Sequence, residues 1–517
     1  SEKVSYNSIF FGLIAHFFLI FFVRLKEILY LCAVNLKDMI RKIIGRKKEL
    51  EKLGSVFNSN KAELVAVYGR RRIGKTFLVK EFFNEKFDYY ATGIFEGSKQ
   101  DELDAFCDML RQNSKDSKVL PPIKTWMDAF TALRDYLKGL RKKRIVVFLD
   151  ELPWFDVPSG QFLKAFEWFW NSWGSTQNNL KMIVCGSATT WMTDKFISGK
   201  GGLYNRTTER IYLAPFNLHE SEALLKSNGV DWDRSLILDA YMVFGGVPLY
   251  LSMLKKNLSL DANVDEMFFR EGAPLHNEYE FLFRSLFKDS DLYMRIIDAI
   301  SKKNMGITRQ EIAAQAKVNA NGTLTTALKN LVSCDFIRKY SAFGKKERDV
   351  LYQPTDLSIL FYKRFVEKYN GKDEHHWTNL IDSPSRRTWT GIAFEQVCLL
   401  HVPQIKQALG IAGVQTEVSS WRFAGDQYTA GVQIDMLITR RDKVINLCEM
   451  KYSAYDYEIT PKYNKELRER CSTFRSVTKT RYALHITLVT PWGLKLNANA
   501  GVIDQTVNLK HLFEDIQ

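Results

Sequence analysis

At 517 residues the chain has room for about three domains of roughly 150 residues, each with its own core, which excludes a single small binding module. With 46% hydrophobic and 26% charged residues, 29 glycines, 12 prolines and no repeat or low-complexity tract, it falls outside collagen, solenoid and wholly disordered classes. Lys and Arg number 73 against 59 Asp and Glu, leaving +14, a balance that favours polyanionic partners, nucleic acid ahead of an anionic membrane surface.

Residues 9–23 (IFFGLIAHFFLIFFV) are almost wholly apolar. Fifteen helical residues reach only about 22 Å, short of a roughly 30 Å hydrocarbon core. Three readings stay open: a membrane anchor, an apolar helix packed on the protein or a partner, and an upstream extension, since the recognisable domain opens at Met39. The seven cysteines (Cys32, Cys107, Cys185, Cys334, Cys398, Cys448, Cys471) stand singly, without zinc-ligand spacing, and read as reduced thiols of a cytoplasmic protein.

Residues 63–69 (ELVAVYG) predict a buried strand. It runs into Gly69-Arg70-Arg71-Arg72-Ile73-Gly74-Lys75-Thr76, which matches GxxxxGK[ST] at every fixed position, and an apolar helix over 77–83 follows. Strand, glycine loop and helix in that order let backbone amides and a helix N-terminus wrap phosphate oxygens. Gly69, Arg72, Ile73, Gly74 and Phe77 are expected around ATP, with Lys75 on its β- and γ-phosphates and Thr76 on Mg²⁺. Arg70–Arg72 read either as solvated loop charges or as contacts to a neighbouring phosphate.

Residues 144–149 (RIVVFL) deliver Asp150 and Glu151 at the carboxyl end of a second apolar strand. Asp150 would hold Mg²⁺ and Glu151 would polarise the attacking water. A third strand, 182–185, ends at Ser187, placed either to sense the γ-phosphate or to cap the next helix. The aromatic segment 162–173 (FLKAFEWFWNSW) has helical spacing and predicts core rather than base stacking.

With Ile44-Gly45-Arg46-Lys47-Lys48-Glu49 ahead of the loop and Gly245-Gly246-Val247-Pro248 beyond it, residues 39–288 resemble the archaeal-type ATPases, a STAND-like branch of the AAA+ P-loop NTPases. The resemblance implies a parallel sheet with a helical lid, and Gly45, Arg46 and Pro248 near adenine. It also implies that Arg206 or Arg210 touches the terminal phosphate, in cis or from a neighbouring copy.

Residues 289–369 predict a winged helix-turn-helix: a helix over 291–303, a capping box at Thr308–Glu311 opening a second, a third over 323–334, and two strands around Gly344-Lys345-Lys346. Between 301 and 350 ten Lys/Arg stand against four Asp/Glu, a net +6. Thr323, Thr325, Thr326, Lys329 and Asn330 are the candidates to face DNA, with the wing on phosphates.

After a polar linker, 370–385, a helix carrying Glu395 precedes two strand-like runs, 432–439 with Asp435 and 444–451 with Glu449 and Lys451. Alternate residues of a strand share a face, so a hairpin would converge two carboxylates and one amine. Glu395, Asp435 and Glu449 could hold Mg²⁺ while Lys451 orients or deprotonates a water. Residues 377–517 resemble the PD-(D/E)XK nucleases, and the pairing resembles the domain that accompanies archaeal-type ATPases. The usual proline before the first aspartate is replaced by Ile434. Downstream, Lys462, Lys465, Arg468, Arg470 and Arg475 on a predicted helix read as a DNA-tracking face or as plain solvated charge.

The expected fold class is α/β: an extension (1–38), a P-loop ATPase with helical lid (39–288), a winged helix (289–369), a linker (370–385) and a restriction-endonuclease-like domain (386–517). The expected function is an ATP-hydrolysing protein acting on double-stranded DNA, ATP state gating a Mg²⁺-dependent nuclease-like domain. A homo-oligomer is left open and membrane association is not favoured. The alternative is a nucleotide switch whose later domains bind DNA or protein without cleavage.

Overall fold

The computed structural model describes residues 43–516 apart from 114–122, 159, 188, 198–202, 204, 304–305, 346–349 and 428–429. The apolar run 9–23, Met39, Cys32 and Lys346 lie outside the described residues.

Strands β1 (Glu63–Tyr68), β2 (Tyr89–Thr92), β3 (Ile145–Asp150), β4 (Leu180–Gly186) and β5 (Glu209–Tyr212) form one parallel sheet in the order β2-β3-β4-β1-β5. β1 alternates its apolar side chains between two helical layers, as a strand buried on both faces must. Val65 and Val67 pack with α1 (Lys47–Asn58) and α2 (Lys75–Phe82). Leu64 and Ala66 pack with α3 (Lys99–Asn113), α4 (Trp126–Lys138) and α5 (Phe162–Ser172). The aromatic segment is core, as its spacing predicts: Phe162, Phe166, Phe169 and Trp170 are buried.

A helical subdomain follows. Asn217 and Glu220 make the capping box of α6 (Leu218–Ser227), Asp233 caps α7 (Arg234–Phe244), and α8 (Pro248–Ser252) and α9 (Glu278–Leu286) complete it.

The middle unit contains α10 (Ser290–Ser301), β6 (Ile307–Thr308), α11 (Arg309–Gln315), α12 (Gly322–Ser333), β7 (Ile337–Ser341) and β8 (Val350–Pro354), its sheet antiparallel in the order β6-β8-β7. The Thr308–Glu311 capping box is present. Ile296, Ile300, Leu324, Leu328 and Phe336 form a separate core.

After α13 (Leu357–Phe361), the stretch read as a polar linker is instead fixed to the helical subdomain. Within it α14 (His376–Asn379) buries Trp377, and the Asp265 carboxylate accepts from Trp377 N (2.7 Å), Thr378 N (3.2 Å) and Thr378 Oγ1 (2.6 Å). One tryptophan in a polar run outweighs its neighbours. α15 (Pro384–Leu400) then packs on a mixed sheet of β9 (Thr416–Phe423), β10 (Val432–Arg440), β11 (Val444–Met450), β13 (Ala483–Val489) and β15 (Gln505–Val507), in the order β15-β13-β11-β10-β9. β12 (Tyr457–Glu458) and β14 (Leu494–Lys495) make a small parallel ribbon, and α16 (Pro461–Thr478) crosses the sheet.

The units are joined by packing as well as by chain. One core runs from Leu218 and Phe244 through Trp389 and Phe394 to Met436 and Val489. Beyond β7, Phe343 N donates to Ser420 O at 2.8 Å, and the Phe343 ring lies 5.1 Å from that of Phe474 on α16.

Candidate functional site

The glycine loop leaves β1 at Gly69, whose φ of 146° and closeness to Leu213 O, 2.3 Å from where a Cβ would sit, leave no space for a side chain. It enters α2 at Gly74, φ 85°. Lys75 and Thr76 thereby occupy the first turn of α2. Lys75 is buried, and its Nζ donates to Arg70 O and Ser187 Oγ, both at 2.8 Å. Thr76 Oγ1 donates to Asp150 Oδ2 at 2.8 Å.

Glu151, in left-handed backbone at φ 47°, turns its carboxylate to Ser187 and accepts from Ser187 Oγ (2.6 Å) and Ser187 N (3.1 Å). The other oxygen of Asp150 accepts from Glu151 N and from the Cys185 thiol, which burial pushes up in pKa. Two strand ends and one helix start thus deliver an amine, two hydroxyls and two carboxylates to one point. The chemistry suits a triphosphate: a helix N-terminus with an amine for phosphate, and two hard oxygen donors, Thr76 and Asp150, for Mg²⁺.

Around the loop, Arg46 Nη2 donates to Ala214 O (2.8 Å) and Ile73 O (3.4 Å), and its guanidinium lies 4.6 Å over the Phe216 ring. Gly45 packs against the Glu220 side chain. Pro248 opens α8, where Leu249 N donates to Arg72 O at 3.4 Å. Phe77 is 52% exposed.

The loop arginines are not solvated charges. Arg70, fully buried, pairs with Asp356 at the start of α13. The Arg72 guanidinium makes a two-pronged pair with Glu278 at 2.9 and 3.2 Å, and Arg71 lies 5.7 Å over the Trp154 ring. Asp335, beside this region, accepts from Tyr212 OH. No local spacing announces these acids, since they stand more than 120 residues from their partners in sequence.

Arg206 does not touch the loop of its own chain. Thr208 N, two residues on, donates to Leu64 O at the amino end of β1, roughly 17 Å of strand from Gly69. Arg210, exposed on β5, is level with Ala66. A parallel edge strand entering from that end cannot bring either to the carboxyl edge.

Residues 43–254 match the model of an ATPase domain found predominantly in Archaea. The chain carries an archaeal-type P-loop ATPase domain. An uncharacterized protein of Methanocaldococcus jannaschii is 27% identical over 329 residues, 62% of this chain and 68% of its own. An uncharacterized ATP-binding protein of that organism is 54% identical over 43 residues, 8% of this chain and 73% of its own. Among solved structures, a Walker-type ATPase of Pyrococcus abyssi is 20% identical and covers 62% of this chain and 95% of its own, with a TM-score of 0.43.

Outside the ATPase domain, Glu395 on α15, Asp435 on β10, Glu449 on β11 and Lys451 just beyond it share one electrostatic neighbourhood. Burial, then the charge of Asp435, push the Glu395 carboxyl up to about 7, Lys451 opposing and Glu449 adding. In the hairpin register Met436 stands opposite Cys448, one step from Asp435 and Glu449.

Glu449 is already engaged. It accepts from Tyr463 OH (2.9 Å) and from Arg470 Nη1 at 2.7 and 2.9 Å. Asp435 accepts from Gln433 Nε2 at 2.6 Å, and the Lys451 amine lies 5.7 Å over the Tyr463 ring. Among the described residues no group of three or more His, Cys, Asp or Glu side chains is gathered to hold a metal. In this arrangement the charge of Glu449 is met by Arg470. Arg470 itself turns inward to this ion pair, away from any DNA-tracking face.

In the middle unit Thr323, Thr325 and Thr326 are exposed on α12. Lys329 instead pairs with Asp194 of the ATPase domain at 2.7 Å, and Asn330 donates to Tyr293 OH at 2.5 Å. Among the described residues no helix is long and apolar enough to cross a membrane.

Proposed function

We propose that the chain binds and hydrolyses ATP at the Lys75–Ser187 network, and that its nucleotide state governs what the C-terminal domain does on double-stranded DNA. The observation that carries the proposal is the anchoring of the phosphate loop. Arg70 and Arg72, within the loop itself, hold Asp356 and Glu278 on the two sides of the middle unit.

On this reading Lys75 neutralises the β- and γ-phosphates, Thr76 and Asp150 hold Mg²⁺, and Glu151 orients the attacking water. Mg²⁺, when bound, offsets phosphate charge. Ser187, bonded to both Lys75 and Glu151, re-partners when a γ-phosphate takes the amine. Gly45, Arg46 and Pro248 surround the base, and Arg206 serves only from a neighbouring copy. DNA meets the net +6 of residues 301–350 and the exposed threonines of α12.

The test is phosphate release and plasmid nicking with Mg²⁺, in the wild type and in Lys75→Ala, Asp435→Ala and Lys451→Ala. Loss of phosphate release in the first and of nicking in all three supports the proposal. Nicking that persists in the last two removes the C-terminal site.

A second reading is a nucleotide switch without cleavage, favoured by the engagement of Glu449 with Arg470 and Tyr463. It expects ATP-dependent DNA association and no strand breaks at any nucleotide state.

A further inference from the structure

The carboxyl ends of β11 and β13 lie side by side, Lys451 N donating to Val489 O at 2.9 Å. From these two ends the chain runs into the loops that build the β12–β14 ribbon. Ligands of parallel strands bind outside their carboxyl ends. Here those loops carry large apolar groups in water: Tyr455 is 81% exposed, Trp492 50% and Leu496 88%. Tyr455 and Trp492 flank the bond from Tyr457 N to Gly493 O (2.7 Å), where the two chains enter the ribbon, and Leu496 stands at its exit.

Single exposed apolar residues are ordinary on a protein surface, but three in the loops that enter and leave one ribbon, beside a charged site, call for an explanation. The ribbon is also tied to basic α16. The Tyr457 and Tyr463 rings are 6.0 Å apart, and Asn464 Nδ2 donates to Asn499 O at 2.8 Å. Lys462, Lys465 and Arg468 are all exposed on this helix, Lys465 lying 3.8 Å from Glu469. Of the two acids here, Glu458 is taken by Lys495 at 2.8 Å, while Asp456 lies against Gly493.

We propose that this ribbon is a stacking platform for unpaired nucleotides, so that the C-terminal site takes DNA with a single-stranded segment, such as a tail, flap or gap, in preference to an uninterrupted duplex. The proposal rests on the DNA-acting function and names the substrate class of that same site. A duplex keeps its base faces stacked inside and offers a protein phosphates and groove edges. Rings exposed beside lysines and an arginine match a strand whose base faces are free, the combination by which single strands are held. Tyr455 and Trp492 carry the stacking, and Lys462, Lys465 and Arg468 follow the backbone.

The experiment uses the full chain and fluorescein-labelled 30-mers in three forms: single strand, blunt duplex, and duplex with a 3′ or 5′ single-stranded tail. Anisotropy is read in EDTA so that no strand is cut. Tighter binding of the single strand and tailed duplexes is expected. Tyr455→Ala and Trp492→Ala should each weaken them by about tenfold and leave blunt-duplex affinity unchanged, while Trp492→Phe retains most of the effect. Equal binding of all three forms, unmoved by these variants, overturns the platform while leaving DNA action standing. Absence of binding to every form overturns both. Self-association that disappears in Trp492→Ala, seen by sedimentation, assigns the patch to a second copy and also overturns it. Melting temperatures matching wild type show that the variants are folded.

Discussion

The Arg70 guanidinium, a phosphate-loop side chain, is ion-paired with the Asp356 carboxylate 286 residues later, and both groups are almost completely withdrawn from solvent. A buried pair stabilises little relative to apolar packing, yet losing one member strands the other charge. Asp356→Ala is expected to cost about 3–5 kcal/mol, because the buried Arg70 guanidinium, paired through Nη1, is left without its counter-ion. The double variant Arg70→Met, Asp356→Leu should recover most of it. Urea unfolding of the two single variants and the double one measures the coupling.

Glu151→Gln keeps the shape and, with a single acceptor oxygen, one of the two bonds to Ser187, but removes the negative charge. Nucleotide affinity should remain near wild type while phosphate release slows by roughly 10²–10⁴-fold, the range for a lost general base. Lys75→Ala should instead abolish nucleotide binding in calorimetry.

Arg470→Ala frees Glu449 from its counter-ion. Mn²⁺ affinity of the C-terminal domain is expected to rise by about tenfold, the equivalent of one charge-assisted hydrogen bond. A titration followed by calorimetry, with Lys75→Ala and Asp150→Ala in the background to silence the first site, reads the change.

His401, fully buried at the end of α15, accepts from Leu218 N at 3.0 Å and lies 2.7 Å from Val397 O through its other nitrogen. Burial holds its imidazole down at about 4 from the usual 6.5. Below 6.5 the unfolded chain takes up a proton that the folded chain refuses. The contribution of the neutral ring is thus complete above pH 6.5 and is lost as pH falls toward 4. Up to roughly 3 kcal/mol should disappear across that window. His401→Gln should flatten the corresponding part of the melting-temperature profile.

If the wing meets DNA phosphates, Lys345→Ala should lower the slope of log affinity against log salt by about one, uniformly across sequences. An unchanged slope would remove the wing from the interface.

The ATPase site was legible because its chemistry is local: Gly69, Gly74, Lys75 and Thr76 are contiguous, and Asp150, Glu151 and Ser187 each end an apolar strand. The C-terminal quartet was legible as a neighbourhood, since hairpin arithmetic brings Asp435 to Glu449. Its state was not. Arg470 looked like any solvated helical charge, and only the crossing of α16 over the sheet directs it to Glu449. For Arg206 the motif left both a cis and a neighbouring-copy contact open, and strand direction, which decides the edge it reaches, removes only the contact to its own loop. The linker failed on Trp377, whose burial depends on Asp261 and Asp265 from a distant helix.

The seating of Phe343 against Phe474 sets a timetable for the chain as it is made. At about 5–20 residues per second, the separation of 131 positions takes roughly 7–26 s to synthesise, so the wing emerges well before the surface that will cover its ring. Until then an aromatic side chain waits in water. The middle unit is therefore finished only when α16 has arrived over the C-terminal sheet, and the two mature as one object.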